Sequence, residues 1–185
     1  MAMTELEEFR KAKDEFFRDD PRSPLTLDQR AAFSGLSYYP ENTALRIEAH
    51  LDMDVDRDEQ IVMQTTTGGT QVYRRAGKVR FQIDGRAAEI TLYESADQED
   101  LFVPFRDATS GKETYGAGRY LEVERPPEGR VVLDFNDAYN PYCAYNPQWS
   151  CPLPPGENWL SVAVRAGEKT FEAEPIGGGR PAGLR

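Results

Sequence analysis

Residues 45–55 read LRIEAHLDMDV, and the fold turns on how this stretch is read. Leu45, Ile47, Ala49, Leu51, Met53 and Val55 alternate with Arg46, Glu48, His50, Asp52 and Asp54. A period of two buries one face of a strand and leaves the other polar. His50, the sole histidine, falls on the polar face beside Glu48 and Asp52, where it meets water. A serine or cysteine triad would need this residue as its base, so nucleophilic hydrolysis is a poor fit.

Reading onward, QIVMQTTTGGTQVYRR (60–75) forms two strands around Gly68-Gly69, and KVRFQIDGRAAEITLY (78–93) two more around Asp84-Gly85. Both dipeptides suit tight hairpin turns, because glycine accepts positive φ at little cost and aspartate tolerates it better than most. Further short strands are predicted at LFVPF (101–105), GRYLEVE (118–124), RVVLDF (130–135) and LSVAVRA (160–166). The segments 106–117 and 136–159 show no usable period. About eight or nine short strands with no helices between them predict a mainly β fold, an antiparallel β-barrel or rolled β-sandwich.

Reading backward from Tyr38, the period is helical. Leu6, Phe9, Ala12 and Phe16 recur at three- and four-residue steps on a helix that ends before Pro21. In SPLTLDQRAAFSG, Thr26 and Gln29 form a capping box and Gly35 a stop, which gives a second, short helix. The expected organisation is a helical preface over 1–36, one β domain over 37–174, and a flexible Gly- and Pro-rich tail over 175–185.

The 185 residues include 32 acidic and 22 basic side chains, a net charge of -10. Such a surface repels phosphate backbones and anionic lipid, so neither nucleic acid nor membrane is an expected partner. MAMTELEEFRKAKDEFF is too charged for a secretory signal, and no stretch reaches membrane-spanning length, so a cytoplasmic protein is expected. Nothing in the sequence calls for a cofactor or indicates an oligomeric state.

Two segments, LFVPFRDATSGKETYGAGRYL (101–121) and LDFNDAYNPYCAYNPQWSCPLPPGENWLSVAVRAGEK (133–169), resemble the signature of the family known as domain of unknown function 1684. The resemblance covers about a third of the chain. It implies no reaction, substrate or cofactor, and marks where a site is to be sought.

Within the first segment, Gly111-Lys112 imitates the end of a phosphate-binding loop. The required first glycine is replaced by Arg106, and Glu113 stands where a hydroxyl should hold magnesium, so that motif is rejected. Arg106, Lys112 and Arg119 remain as candidates to grip an anion, a guanidinium being a flat fork matched to two oxygens. The plainer alternative is that they pair with Asp107 or Glu113.

In the second segment Tyr139, Asn140 and Tyr145 offer hydrogen bonds and a flat apolar wall. Cys143 and Cys151 close that loop. They fit buried thiols, a disulfide contributing roughly 2.5 kcal/mol, or, as weak candidates, metal ligands or redox groups. The proline-rich run between them is expected to bring them close in space. The expected function is binding of a small anionic metabolite in a pocket between loops 106–119 and 136–159. The alternatives are an enzyme using Asp107, Glu157 or Glu168 as acid or base, and a protein-interaction module presenting loop aromatics.

Overall fold

A computed structural model describes residues 2–125 and 129–172. The tail expected over 175–185 lies outside the described residues. Two helices, α1 (Glu5–Asp19) and α2 (Leu27–Ala31), precede seven strands: β1 (Arg46–His50), β2 (Gln60–Gln64), β3 (Thr70–Ile83), β4 (Arg86–Glu94), β5 (Leu101–Phe105), β6 (Arg119–Val123) and β7 (Arg130–Asp134). Strands β2 to β6 form a five-stranded antiparallel meander in chain order. Strands β1 and β7 pair antiparallel as a separate ribbon. The mainly β, antiparallel expectation holds, whereas no closed barrel is formed among the described residues.

The strand count falls below eight for two physical reasons. Segments 70–75 and 78–83 are one continuous strand, β3, bent at a bulge where the pairing register slips between Arg75 and Gly77. An inserted residue flips the face to which later side chains point. Tyr73 therefore faces one side of the sheet, while Val79, Phe81 and Ile83 face the other. At the bend Gly77 lies against the chain leaving β1, and the Asp52 and Lys78 backbones exchange two hydrogen bonds of 2.8 Å. The second missing strand is 160–166: Leu160 and Val162 bond the backbone of Arg106 and Ala108, but from Val164 onward side chains take the peptide groups and the run becomes irregular.

Alternation along the meander gives the sheet two buried faces. Ile90, Leu92, Val103, Phe105 and Leu121 face the larger core, completed by Leu133 and Phe135 from the ribbon end and by Val162 and Val164. Tyr93, Phe102 and Tyr120 point the opposite way, with Met63 and Tyr73, and are covered by Cys143 and Cys151 of the 136–159 loop. That loop is thus the lid of a sheet face.

Helix α1 opens with a reciprocal capping box between Thr4 and Glu7, and α2 with the expected one between Thr26 and Gln29. The stripe predicted for α1 needs correction. Phe9 is 52% exposed and Ala12 is exposed, whereas Arg10, Lys13, Asp14 and Phe17 turn toward the body. Phe17, 1% exposed, joins Leu25 and Tyr145 in a third apolar cluster. Its neighbours on the stripe are polar because the surface they meet is lined with hydrogen-bonding groups.

Candidate functional site

The two sequence-marked loops do meet, and they meet in a packed polar junction. Arg119 opens β6 directly after Gly118, whose φ of 107° and contact with the Phe105 carbonyl leave no room for a Cβ. The Arg119 side chain is 1% exposed. Its Nη1 donates to the carbonyls of Ala166 (2.5 Å) and Glu168 (3.0 Å). Nη2 donates to the Val164 carbonyl (2.7 Å) and to Asp107 Oδ2 (3.4 Å).

Asp107 in turn accepts from the Val164 amide at 2.6 Å and the Thr109 hydroxyl at 2.7 Å. Desolvation lowers the Arg119 pKa, and Asp107 opposes the shift. This ion pair holds 164–168 in place by its peptide groups, which is why that segment is not a strand. Arg119, expected as an anion ligand, and Asp107, expected as an acid–base group, thus both have their polar atoms engaged in holding the fold.

A second junction surrounds Glu168, itself 1% exposed. It accepts from Lys13 Nζ at 2.5 Å, from the Asn140 amide at 2.9 Å, and from the Tyr145 hydroxyl. Burial and the Glu168 charge push the Tyr145 phenol far up, so it stays a donor. Asn140 Nδ2 donates to the Lys169 carbonyl at 2.8 Å. Lys13 also lies 4.9 Å above the Tyr139 ring. Three predicted ligand residues, Tyr139, Asn140 and Tyr145, thus gather with predicted Glu168, but around a cation that the chain itself supplies. Lys13 was missed because it sits beside the apolar stripe of α1, where a charge reads as solvated.

The remaining candidates scatter. Glu157 accepts from Arg75 Nε at 3.0 Å and from the Tyr93 hydroxyl at 2.5 Å. The Arg106 guanidinium stacks 4.6 Å from the Trp159 ring centre. Lys112 is exposed, on the rim of a shallow cleft of about 460 Å³ with Lys169, Glu113, Phe171 and Glu172. His50 is exposed at the end of β1. Cys143 and Cys151 are free thiols, and the Cys143 amide donates to Cys151 Sγ at 3.3 Å, so the expected proximity is found.

A larger groove, of about 810 Å³, opens where the start of α1 crosses β6 and the end of β7. Leu6, Phe9 and Tyr139 supply its apolar and aromatic surface. Among the described residues that line it stand seven carboxylates, of Glu5, Glu41, Asp100, Glu122, Glu124, Asp134 and Asp137, with Arg46 as the lone cation. Arg46 pairs with Asp134 at 3.5 Å, and Tyr139 donates to Glu122 at 2.9 Å. Desolvation, and then the Asp134 charge, raises the pKa of Asp137. Sequence reading missed this groove because its acids come from segments far apart in the chain, each unremarkable alone.

The family profile described as "Protein of unknown function (DUF1684)" matches residues 31–169. The chain belongs to the DUF1684 family. No curated protein matches it. Among solved structures it is similar to the solution NMR structure of the uncharacterized protein from gene locus rrnAC0354 of Haloarcula marismortui. The two share 38% identity over 89% of this chain and 92% of that one, with a TM-score of 0.69. The DUF1684 profile begins after α1, so Lys13 and the α1 wall of the groove lie outside the matched residues while Glu168 lies inside.

Proposed function

We propose that this DUF1684 protein is a small-molecule binding domain, and that its ligand is an organic polycation seated in the groove between α1, β6 and the end of β7. The observation that carries this reading is the lining: among the described residues, seven carboxylates against one arginine, set around Leu6, Phe9 and Tyr139. Facing carboxylates in a cleft focus a negative potential that draws in cations, and the net charge of -10 adds to it at long range. Apolar floor between charged rims suits a flexible chain carrying several ammonium groups, its methylenes on Phe9 and Tyr139. The engagement of Asp107, Glu157 and Glu168 in structural contacts favours binding over acid–base catalysis at those residues.

Titration calorimetry with spermidine at low ionic strength tests the proposal. Saturable binding near one to one is expected, weakened at least tenfold in Glu122→Gln/Asp137→Asn. The control Asp58→Asn/Asp84→Asn removes the same charge elsewhere and should bind within about twofold of the parent. Equal weakening by both pairs, or heat that never saturates, would show mere ion screening and refute the groove. An anionic ligand keeps one place, the cleft that carries Lys112 and Lys169, neither of which is in a salt bridge among the described residues. Saturable citrate binding lost in Lys112→Ala would replace the polycation reading with that one.

A further inference from the structure

The loop CAYNPQWSC (143–151) returns on itself because each end is tied down separately. At one end, the Cys151 amide donates to Thr66 Oγ1 at 3.2 Å, and the Thr66 amide donates to the Cys151 carbonyl at 3.0 Å. At the other, Cys143 sits in the short turn Tyr142–Ala144, with the Tyr115 hydroxyl 3.7 Å from its sulfur. The 3.3 Å contact from the Cys143 amide to Cys151 Sγ brings the Cys143 backbone against the other sulfur. A disulfide asks for Cα atoms within roughly 7 Å, and a sulfur touching the partner's amide satisfies that reach by side-chain rotation. The cysteines retain 9% and 7% exposure, so neither is wholly sealed from solvent.

We infer that Cys143 and Cys151 form a peroxide-oxidisable dithiol, in which Cys143 is the attacking thiolate and Cys151 the resolving thiol. The Cys143 sulfur attacks one oxygen of a hydroperoxide. An S–O bond forms, the O–O bond breaks, and the leaving oxygen departs as water once it takes a proton (an alcohol, from an alkyl hydroperoxide). Cys151 then attacks the sulfenic sulfur of Cys143, the S–S bond forms, and the S–O bond breaks to release a second water. Two thiols are oxidised to one disulfide, and one peroxide is reduced with two protons consumed from the thiols.

Three features favour this order. The Tyr115 hydroxyl, 3.7 Å from the Cys143 sulfur, donates to that cysteine and not to Cys151; donation from Cys151 and from Tyr115 lowers the Cys143 pKa to about 6, while donating to Cys143 and burial raise that of Cys151. Burial holds the Tyr115 phenol above its ordinary value, so it remains a donor beside the thiolate. A thiolate at neutral pH is the reactive form toward peroxide. The inference is independent of the acidic groove, which shares neither cysteine.

The test treats the reduced full-length protein with hydrogen peroxide, then denatures it, alkylates it and maps the peptides. An intramolecular Cys143–Cys151 link, reversed by dithiothreitol, is expected. In Cys151→Ser the reaction should stop at a sulfenic acid on Cys143, trapped by dimedone. In Cys143→Ser thiol loss should slow at least tenfold. Two thiols still alkylated after peroxide, links only between chains, or equal rates in the two serine variants would each overturn the assignment. Should the variants fail to fold, the unmodified protein decides. Its iodoacetamide labelling should fall first on Cys143 with a midpoint of about 6, and equal labelling of both cysteines with ordinary thiol midpoints would refute the inference.

Discussion

Arg119 shows how one residue type supports opposite expectations. In the sequence it stands at the strand end of a loop rich in glycine and threonine, a setting that suits anion capture. In the fold its donors go to three carbonyls and Asp107, with 1% of the side chain exposed. Truncating a buried ion pair leaves the partner charge unpaired, at a cost of about 3–5 kcal/mol. Arg119→Ala is therefore expected to lose that much stability in urea denaturation. A ligand-binding arginine at the surface would leave the unliganded protein's midpoint unchanged. The same logic applies at Glu168, whose buried carboxylate is held by Lys13, Asn140 and Tyr145.

At the level of elements, α1 is joined to the β body through polar contacts as much as through Phe17. Arg10 donates to the Tyr39 and Asn136 carbonyls, Lys13 to Glu168, and Asp14 accepts from the Leu36 amide. Lys13→Met should destabilise by about 3 kcal/mol because Glu168 is left buried without its cation. Adding Glu168→Gln should recover part of that loss, as coupled sites do in a double-mutant cycle. Hydrogen exchange should report the change first along Glu5–Asp19, with the strand amides still protected. The bulge in β3 gives a second test. A Cβ on Gly77 would lie 2.7 Å from Leu51 Cδ1 and 2.8 Å from the Asp52 carbonyl, so Gly77→Ala should cost about 1–3 kcal/mol by overpacking. An unchanged denaturation midpoint would show that the ribbon and the sheet can part at no cost.

For the whole molecule, acid response follows from two opposed sets of carboxylates. The Asp14 and Asp137 pKa values are raised, first by desolvation, so their ionised forms oppose folding near neutral pH. That penalty is relieved as pH falls through their folded values toward 3.8. The Glu89, Glu94 and Glu113 values are lowered, first by hydrogen bonds from Lys78, Arg125 and Arg165 respectively. Their stabilisation is complete above 4.5 and is lost as pH falls through the lower folded values. Relief of the net charge of -10 acts in the same direction as the first set. Urea midpoints should therefore be higher at pH 5 than at pH 7 and fall steeply by pH 3, and 1 M salt should shrink the difference between pH 5 and pH 7. A midpoint at pH 7 above that at pH 5 would show that the raised carboxylates do not govern the neutral limb.

The sequence alone determined what is local. The two-residue period from Leu45 to Leu51, the two-residue hairpin turn at 84–85, and the Thr26–Gln29 capping box are all present in the structure, because each depends on neighbours within a few positions, whereas the hairpin at Gly68-Gly69 closes through a five-residue connection, 65–69. The proximity of Cys143 and Cys151 was legible for the same reason, the intervening loop being short and rich in proline. Tertiary structure decided the rest. Whether 70–83 is one strand or two rests on a bulge formed against Asp52, and whether 160–166 is a strand rests on Arg119 and Asp107 taking its peptide groups. Whether a charged residue faces solvent or a buried partner is set by elements that meet across long separations, as Lys13 meets Glu168. The groove is the extreme case: its carboxylates acquire a common field only once α1, β6 and β7 are brought side by side, because electrostatic potential depends on distance in space and not along the chain.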